Sequence, residues 1–291
     1  MHLLYITFGN NLAIHSQAAF SIYSFLAQDE KIDSINVITD APAYYSHLKD
    51  VVRIFLAGKE QLEEWKGPHL FFWRIKIKAL QCICKEYTGD PVVYLDTDTF
   101  LYKPADHLVK ILVKGFALMH EDEGALSNAN TKTEKRMWRQ IKGRPFANLP
   151  MDTQQHMWNA GVVATPNTKG GADCELALRL CDELCAAGVT RKLIEQFALS
   201  RALQHTYGLQ PAHTAIAHYW SNKEEWNRYI TAFFTEAFAK GYSREELIAA
   251  MRDFDFTHIP VKKRVRNTSQ RLHHIVDRWW GMKEQVYIRH N

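Results

Sequence analysis

Two aspartates spaced one apart, Asp96 and Asp98, follow the apolar run Val92, Val93, Tyr94, Leu95 in the stretch VVYLDTDTF. Like charges that close repel each other unless a cation lies between them. Strand side chains alternate with period two, so positions 96 and 98 are expected to point their carboxylates the same way. Ligands of open α/β sheets gather at the carboxyl ends of the strands. The spacing therefore predicts a divalent metal site, because an unpaired buried carboxylate is costly and a plain polar turn rarely needs two.

For that pair to sit at a strand end, a sheet must be built around it. LLYITF, SINVITD (ending at Asp40), VVRIFL and VVYLDTD read as strands. Between them lie a helix-like run with Ala18, Ala19, Ile22, Phe25 and Leu26, and another from about Phe71 to Glu86. This alternation predicts an α/β fold with a doubly wound, mostly parallel sheet. FALMHED reads as a further strand ending in Glu121 and Asp122, and WNAGVVAT as another. Residues 123–156 are polar and weakly periodic, with Gly124, Gly143, Pro145 and Pro150, so a long loop over the site is expected. Asp173 suits an N-cap for two helical stretches that reach Ala202 with a break near Gly188, and HTAIAHYW is a short extended piece. Farther on, Trp226, Ile230, Phe233, Phe234 and Ala237 form one helical face, and Ser243 with Glu246 a capping box. A boundary near residue 230 separates an expected catalytic domain, 1–230, from a basic, aromatic, helical extension, 231–291.

The chain has 291 residues, 46% of them hydrophobic, enough for a full core and too many for disorder. Five cysteines in no paired spacing argue against a disulfide framework. Cys174, Cys181 and Cys185 share an apolar stripe with Ala177, Leu178 and Leu184, which reads as core. The N-terminus looks like a first strand and not a signal peptide, and no run of 18 apolar residues offers a membrane span. A cytoplasmic protein, or one peripheral on the inner face of a membrane, is the expectation. The net charge of +4 is unevenly placed: residues 257–291 hold eight Lys or Arg against two acidic residues. In that tail Leu272, Ile275, Val276 and Trp279 share one face at helical spacing, which suits docking on the catalytic domain or binding an anionic membrane surface. No nucleic-acid partner is expected.

Taken together, four segments resemble glycosyltransferases of the GT-A fold, most of all the glycogenin-like retaining family that includes bacterial lipopolysaccharide sugar transferases. YLDTDTFLYKP resembles the family's D-x-D strand with its following Lys-Pro, which implies that Asp96, Thr97 and Asp98 meet metal and donor. WNAGVV resembles its N-A-G strand, implying that Asn159, Ala160 and Gly161 lie beside the donor sugar. IEQFAL resembles its D-Q segment, with Glu195 in place of Asp and Gln196 near the reacting carbon. IAHYWSNKEEW resembles H-x-x-G-x-x-K-P-W, which implies His218 as third metal ligand and Lys223 as a diphosphate contact, although Ser221 replaces Gly, Lys223 sits one residue nearer His218 and Glu224 replaces Pro.

The chemistry suits these residue types. A hard divalent ion on carboxylates neutralises the charge that grows on a departing diphosphate, and an imidazole ligand favours Mn²⁺ over Mg²⁺. Gln196, Glu195 and Asn159 are polar neighbours fit for an oxocarbenium-like centre. For the nucleotide, Thr7 and Asn10 in the turn after the first strand can hydrogen-bond a base, and Asp40 can meet the base or ribose. Arg74 and Lys78, four apart on one helix, suit either donor phosphates or plain surface charge. The expected activity is transfer of a sugar from a nucleotide-diphosphate sugar, UDP favoured, to a saccharide or lipid-linked saccharide in cell-surface polysaccharide or lipopolysaccharide synthesis.

A haloacid dehalogenase-type phosphatase also joins an apolar strand to D-x-D, but it wants Thr or Val where Phe100 stands and places the motif nearer the N-terminus. A sugar-nucleotide-forming nucleotidyltransferase wants a glycine-rich loop, and FGNN is too poor in glycine. A non-catalytic carbohydrate- or membrane-surface module is the third alternative. His258, in DFTHIP, competes with His218 for the metal; His156 is a candidate acceptor contact, and His120 is read as structural.

Overall fold

The computed structural model describes residues 1–28, 32–264, 284–286 and 288. Its first part repeats strand and helix: β1 (His2–Thr7), α1 (Leu12–Ala27), β2 (Ser34–Thr39), β3 (Val52–Leu56), α2 (Lys59–Trp65), α3 (Arg74–Glu86), β4 (Val92–Leu95) and the short β5 (Thr99–Leu101). Then come α4 (Asp106–Val113), β6 (Ala117–Ala125), α5 (Lys132–Ile141), β7 (Pro145–Phe146), β8 (Leu149–Pro150) and β9 (His156–Thr165). The chain continues through α6 (Ala172–Ala186), α7 (Ile194–Thr206), β10 (Leu209–Pro211), β11 (Ile216–His218), α8 (Lys223–Lys240), α9 (Arg244–Arg252), β12 (Lys262–Arg264) and β13 (Glu284–Val286).

Seven strands form one sheet in the order β10-β6-β9-β4-β1-β2-β3. β1, β2, β3 and β4 run parallel, as do β6 and β10, while β9 runs antiparallel to both β4 and β6. Each sheet face carries its own apolar cluster, so the central strands are apolar on both sides. Leu4, Tyr94 and Val163 pack towards α3, α6 and α7; Leu3, Tyr5, Val93, Leu95 and Val162 pack towards α1, α4 and α8. The mostly parallel α/β architecture expected from the alternation is what forms.

Several local expectations change. Asp96 and Asp98 do not ride the pleat of a strand: β4 ends at Leu95, and the two aspartates lie in the turn that leads to β5. Residues 123–156 are no bare loop, since β6 runs to Ala125 and α5 and the β7–β8 pair follow. Thr131 and Glu134 cap α5 reciprocally, a box that the polarity of the segment concealed. Gly171, at φ +80°, is the N-cap of α6, so Asp173 sits buried inside the first turn. The Ser243–Glu246 capping box forms as expected at the start of α9. Residue 230 falls inside α8, where Trp226 and Ile230 are fully buried. The amphipathic face of Leu272, Ile275, Val276 and Trp279 lies outside the described residues.

Candidate metal and donor site

The antiparallel register of β9 builds the site. Leu95 pairs with Val162, and the next step brings the Asp96 N–H onto the Gly161 carbonyl at 2.8 Å. Asn159, Ala160 and Gly161 therefore overhang the carboxyl end of β4, beside the aspartate turn. On the other side β11 pairs with β5, placing His218 opposite Thr99, and the Tyr219 N–H donates to the Asp98 carbonyl at 3.0 Å. Beneath the turn, the buried Phe100 ring packs 4.7 Å from Trp226 and 4.8 Å from Phe256.

Asp96, Asp98 and His218 each offer a ligand atom, and these atoms all lie within 4.8 Å of one another, the one such group of three or more among the described residues. His218 Nδ1 donates to Asn159 Oδ1 at 2.9 Å, and that oxygen also accepts the Gly161 N–H at 3.0 Å. The Asn159 amide in turn donates to Glu123 at 3.3 Å, which fixes which end is oxygen. With Nδ1–H committed, Nε2 presents its lone pair to Asp98 Oδ2 at 3.3 Å and Asp96 Oδ2 at 3.9 Å. Asp98 Oδ2 is buried and accepts no aligned hydrogen bond. Acceptors that face one another across such a gap need a cation or a proton between them, so the residues fit a divalent ion with oxygen and imidazole ligation. Burial alone would raise the Asp98 carboxyl, but the Lys223 ammonium and, where a proton and not a cation fills the gap, the His218 N–H so formed hold it well below the usual range.

Gly161 makes room for this arrangement: a Cβ there would stand 2.1 Å from His218 Nδ1. Thr97 is tied to α1 through Gln17 Oε1 at 2.9 Å, and Gln17 reaches Asn227 on α8 at 2.6 Å. Gln196 donates to Glu123 at 2.8 Å, so Gln196 and Asn159 share one carboxylate. Lys223 Nζ lies 3.0 Å from Asp98 Oδ2.

Three contributors escaped sequence reasoning. Lys76, buried, lies 3.1 Å from both Asp96 and Glu195, donates to the Ala160 carbonyl at 3.2 Å and stands over the Tyr94 ring. Burial would lower its pKa, but the two carboxylates reverse that and keep it charged. Its signal was readable: Lys76 shares the stripe of Ala79, Leu80 and Ile83, where an apolar residue belongs. The Tyr94 hydroxyl donates to Asp96 from the strand before it. Glu123 is aimed at the site by irregularities in the β6–β9 pairing, which no residue pattern announced. Desolvation raises its carboxyl pKa although the side chain as a whole is exposed, and the amides of Asn159 and Gln196 oppose that rise.

The other candidates are placed as follows. Asp40 accepts the Gly9 N–H at 2.8 Å, and Thr7 accepts the Tyr45 hydroxyl at 2.9 Å, so both shape the turn after β1, where Asn10 is exposed. Arg74 is not brought to the site: its guanidinium clasps Asp182 at 2.7 and 3.0 Å. Lys78 donates to Gln81 at 3.1 Å. His258 lies tilted against the Tyr229 ring, with centroids 5.1 Å apart, and is outside the cluster. His120 lies behind His218, with ring centroids 5.3 Å apart, and desolvation drives its pKa well down. His156 holds Asp122 through Nδ1 at 2.8 Å.

No family model matches the sequence, and no curated protein sequence matches it either. Among solved structures, the galactosyltransferase LgtC, in complex with donor and acceptor sugar analogues, superimposes with a TM-score of 0.54 at 15% identity, over 86% of this chain and 96% of its own. Mouse xyloside xylosyltransferase 1 in its apo form aligns at 12% identity over 72% of this chain and 84% of its own, with a TM-score of 0.44. The sheet order, the D-x-D turn at the end of β4 and the overlay on the galactosyltransferase agree on one architecture, and the chain has the GT-A fold.

Proposed function

We propose that this protein is a metal-dependent glycosyltransferase that moves a sugar from a nucleoside-diphosphate sugar, UDP-linked by preference, onto a saccharide or lipid-linked saccharide. The observation that carries this reading is the convergence of Asp96, Asp98 and the Nε2 lone pair of His218 at the carboxyl end of the sheet. Mn²⁺ or Mg²⁺ bound there would neutralise charge on the departing diphosphate. Lys223 supplies a second positive charge to the same phosphates, and Thr7, Asn10 and Asp40 form the turn that receives the base. Ala160 and Gly161 bring the backbone of β9 close to the sugar. Asn159 and Gln196, held by Glu123, present amides to the sugar, while Glu195 is kept in place by Lys76. Retention of anomeric configuration and a role in cell-surface polysaccharide or lipopolysaccharide synthesis extend the same reading.

The test is a panel of sugar nucleotides, with binding and slow donor hydrolysis measured with and without Mn²⁺. At least one donor should be hydrolysed only with the metal, and Asp98→Ala should lower that rate roughly a thousandfold with the fold intact. A folded Asp98→Ala protein that keeps most of the hydrolysis would defeat the reading.

A further inference from the structure

Two lysines serve the acidic cluster, and they are held in opposite ways. Lys76 is boxed in: its side chain is 8% exposed, with Asp96, Glu195, the Ala160 carbonyl and the Tyr94 ring around it. Lys223 is the first residue of α8, and its side chain is 50% exposed. Its partner Asp98 is 4% exposed and cannot follow it. The oxygen that Lys223 faces, Asp98 Oδ2, is also the one nearest His218 Nε2. One carboxylate oxygen thus carries an exchangeable ammonium where a cation shared with His218 would bind.

From this we infer that the Lys223 ammonium competes with the divalent cation for Asp98, and that its release couples cation binding to diphosphate binding. The inference rests on the function proposed above and adds the residue through which the two ligands communicate. Without metal, Lys223 partly neutralises Asp98. Once a cation takes that oxygen, the ammonium loses its partner and is repelled by the new charge. A flexible four-carbon stem at a helix start lets it swing while the backbone stays in place. A diphosphate would meet it at the start of α8: Asn222 at the N-cap spends its amide on Glu225 and the Pro260 carbonyl and leaves the first-turn N–H groups without a side-chain cap, so this end of the helix favours negative charge. Glu224 and Glu225 do not cancel that preference outright, since they are paired with Arg228 and Lys263.

A thermodynamic cycle on the whole protein tests this. Mn²⁺ binding is measured by titration calorimetry with and without saturating UDP, for wild type, Lys223→Met and, should that variant fold poorly, Lys223→Gln. Lys223→Met should bind Mn²⁺ alone about fivefold more tightly, the scale of losing a partly exposed ion pair. UDP should bind the Mn²⁺-loaded variant more weakly than wild type, and the factor by which UDP tightens Mn²⁺ should shrink several-fold, reciprocally for both ligands. Unchanged or weaker Mn²⁺ binding by the variant would overturn the inference. So would tighter Mn²⁺ binding with undiminished coupling, which would show only the loss of a nearby charge. A wild-type protein that binds neither Mn²⁺ nor UDP removes the proposed function and this inference with it, whereas wild-type binding with no effect of Lys223→Met removes the inference alone.

Discussion

Gly161 and His218 are coupled through space, and the coupling can be tested without touching a ligand atom. Gly161 is not among the glycines at positive φ, so alanine there adds a methyl group without backbone strain. The methyl meets the imidazole, 2.1 Å from Nδ1, and the ring must move. Gly161→Ala should therefore lower Mn²⁺ affinity about 10- to 100-fold, the range seen when a ligand's support is removed, with an unchanged circular dichroism spectrum. Undiminished Mn²⁺ binding in a calorimetric titration would remove His218 from the ligand set. Lys76 makes a second prediction. Lys76→Met leaves Asp96 and Glu195 without their counter-charge, at a cost of about 3–5 kcal/mol to the metal-free protein near neutral pH. The Glu195 carboxyl already titrates above its ordinary value of 4.5, because burial outweighs the help of Lys76. In the variant it rises further, so the charged form opposes folding at neutral pH. The penalty should shrink as acidification protonates the group. Urea unfolding at pH 7 and pH 5 checks the sign: an equal loss at both values would show that charge is not the cause.

At the scale of elements, the aspartate turn is only as firm as the short strands and rings that hold it. β5 and β11 have three residues each and lie outside the main sheet, so side-chain packing must supply what few ladder bonds cannot. Phe100 supplies it, with Phe20, Tyr219, Trp226 and Phe256 around its buried ring. Phe100→Ala should cost about 3–5 kcal/mol, read as a lower urea midpoint with an unchanged slope. A loss below 1 kcal/mol would mean that the turn is held by backbone pairing alone. The ring also explains why a large aromatic residue stands where a dehalogenase-type motif needs Thr or Val: the chain here returns into a second short strand. The mistaken loop over 123–156 has a local cause too. α5 is short and strongly charged, and only Met137 and Ile141 are buried on it, so its apolar period is too sparse to show.

At the scale of the whole molecule, the basic end of the chain is tied down beside the site before it continues. Lys262 pairs with Glu121 in the middle of β6, and Lys263 pairs with Glu225 on α8. A truncation meant to test the tail should therefore begin after Arg264. Removing residues 265–291 should weaken binding to vesicles of anionic lipid and spare Mn²⁺-dependent binding of UDP, because every proposed donor contact precedes residue 224. High salt should imitate the truncation, since the Debye length falls to about 3 Å near 1 M. Co-sedimentation at low and high salt decides it: absent or salt-insensitive binding by the full chain ends the membrane reading. No described helix is long and apolar enough to cross a membrane.

The strands and helices of the first hundred residues, and the acidic pair that closes them, were legible because they depend on neighbours in sequence. Apolar runs, alternation and capping residues act within a few positions, and Asp96 and Asp98 carry their meaning in their own spacing. The order of WNAGVV, IEQFAL and IAHYW along the chain likewise named Asn159, Gln196 and His218 as candidates by resemblance. Tertiary structure decided which of them meet. The β9 register set Asn159 and Gly161 over Asp96, the turn after β4 and not a strand pleat drew the two carboxylates together, and packing sent Arg74 to Asp182 while Lys76 turned inward. The physical reason is range: a charge four residues along a helix looks the same whether its partner is water or a carboxylate more than a hundred residues away, and only the folded chain brings that partner within 3 Å.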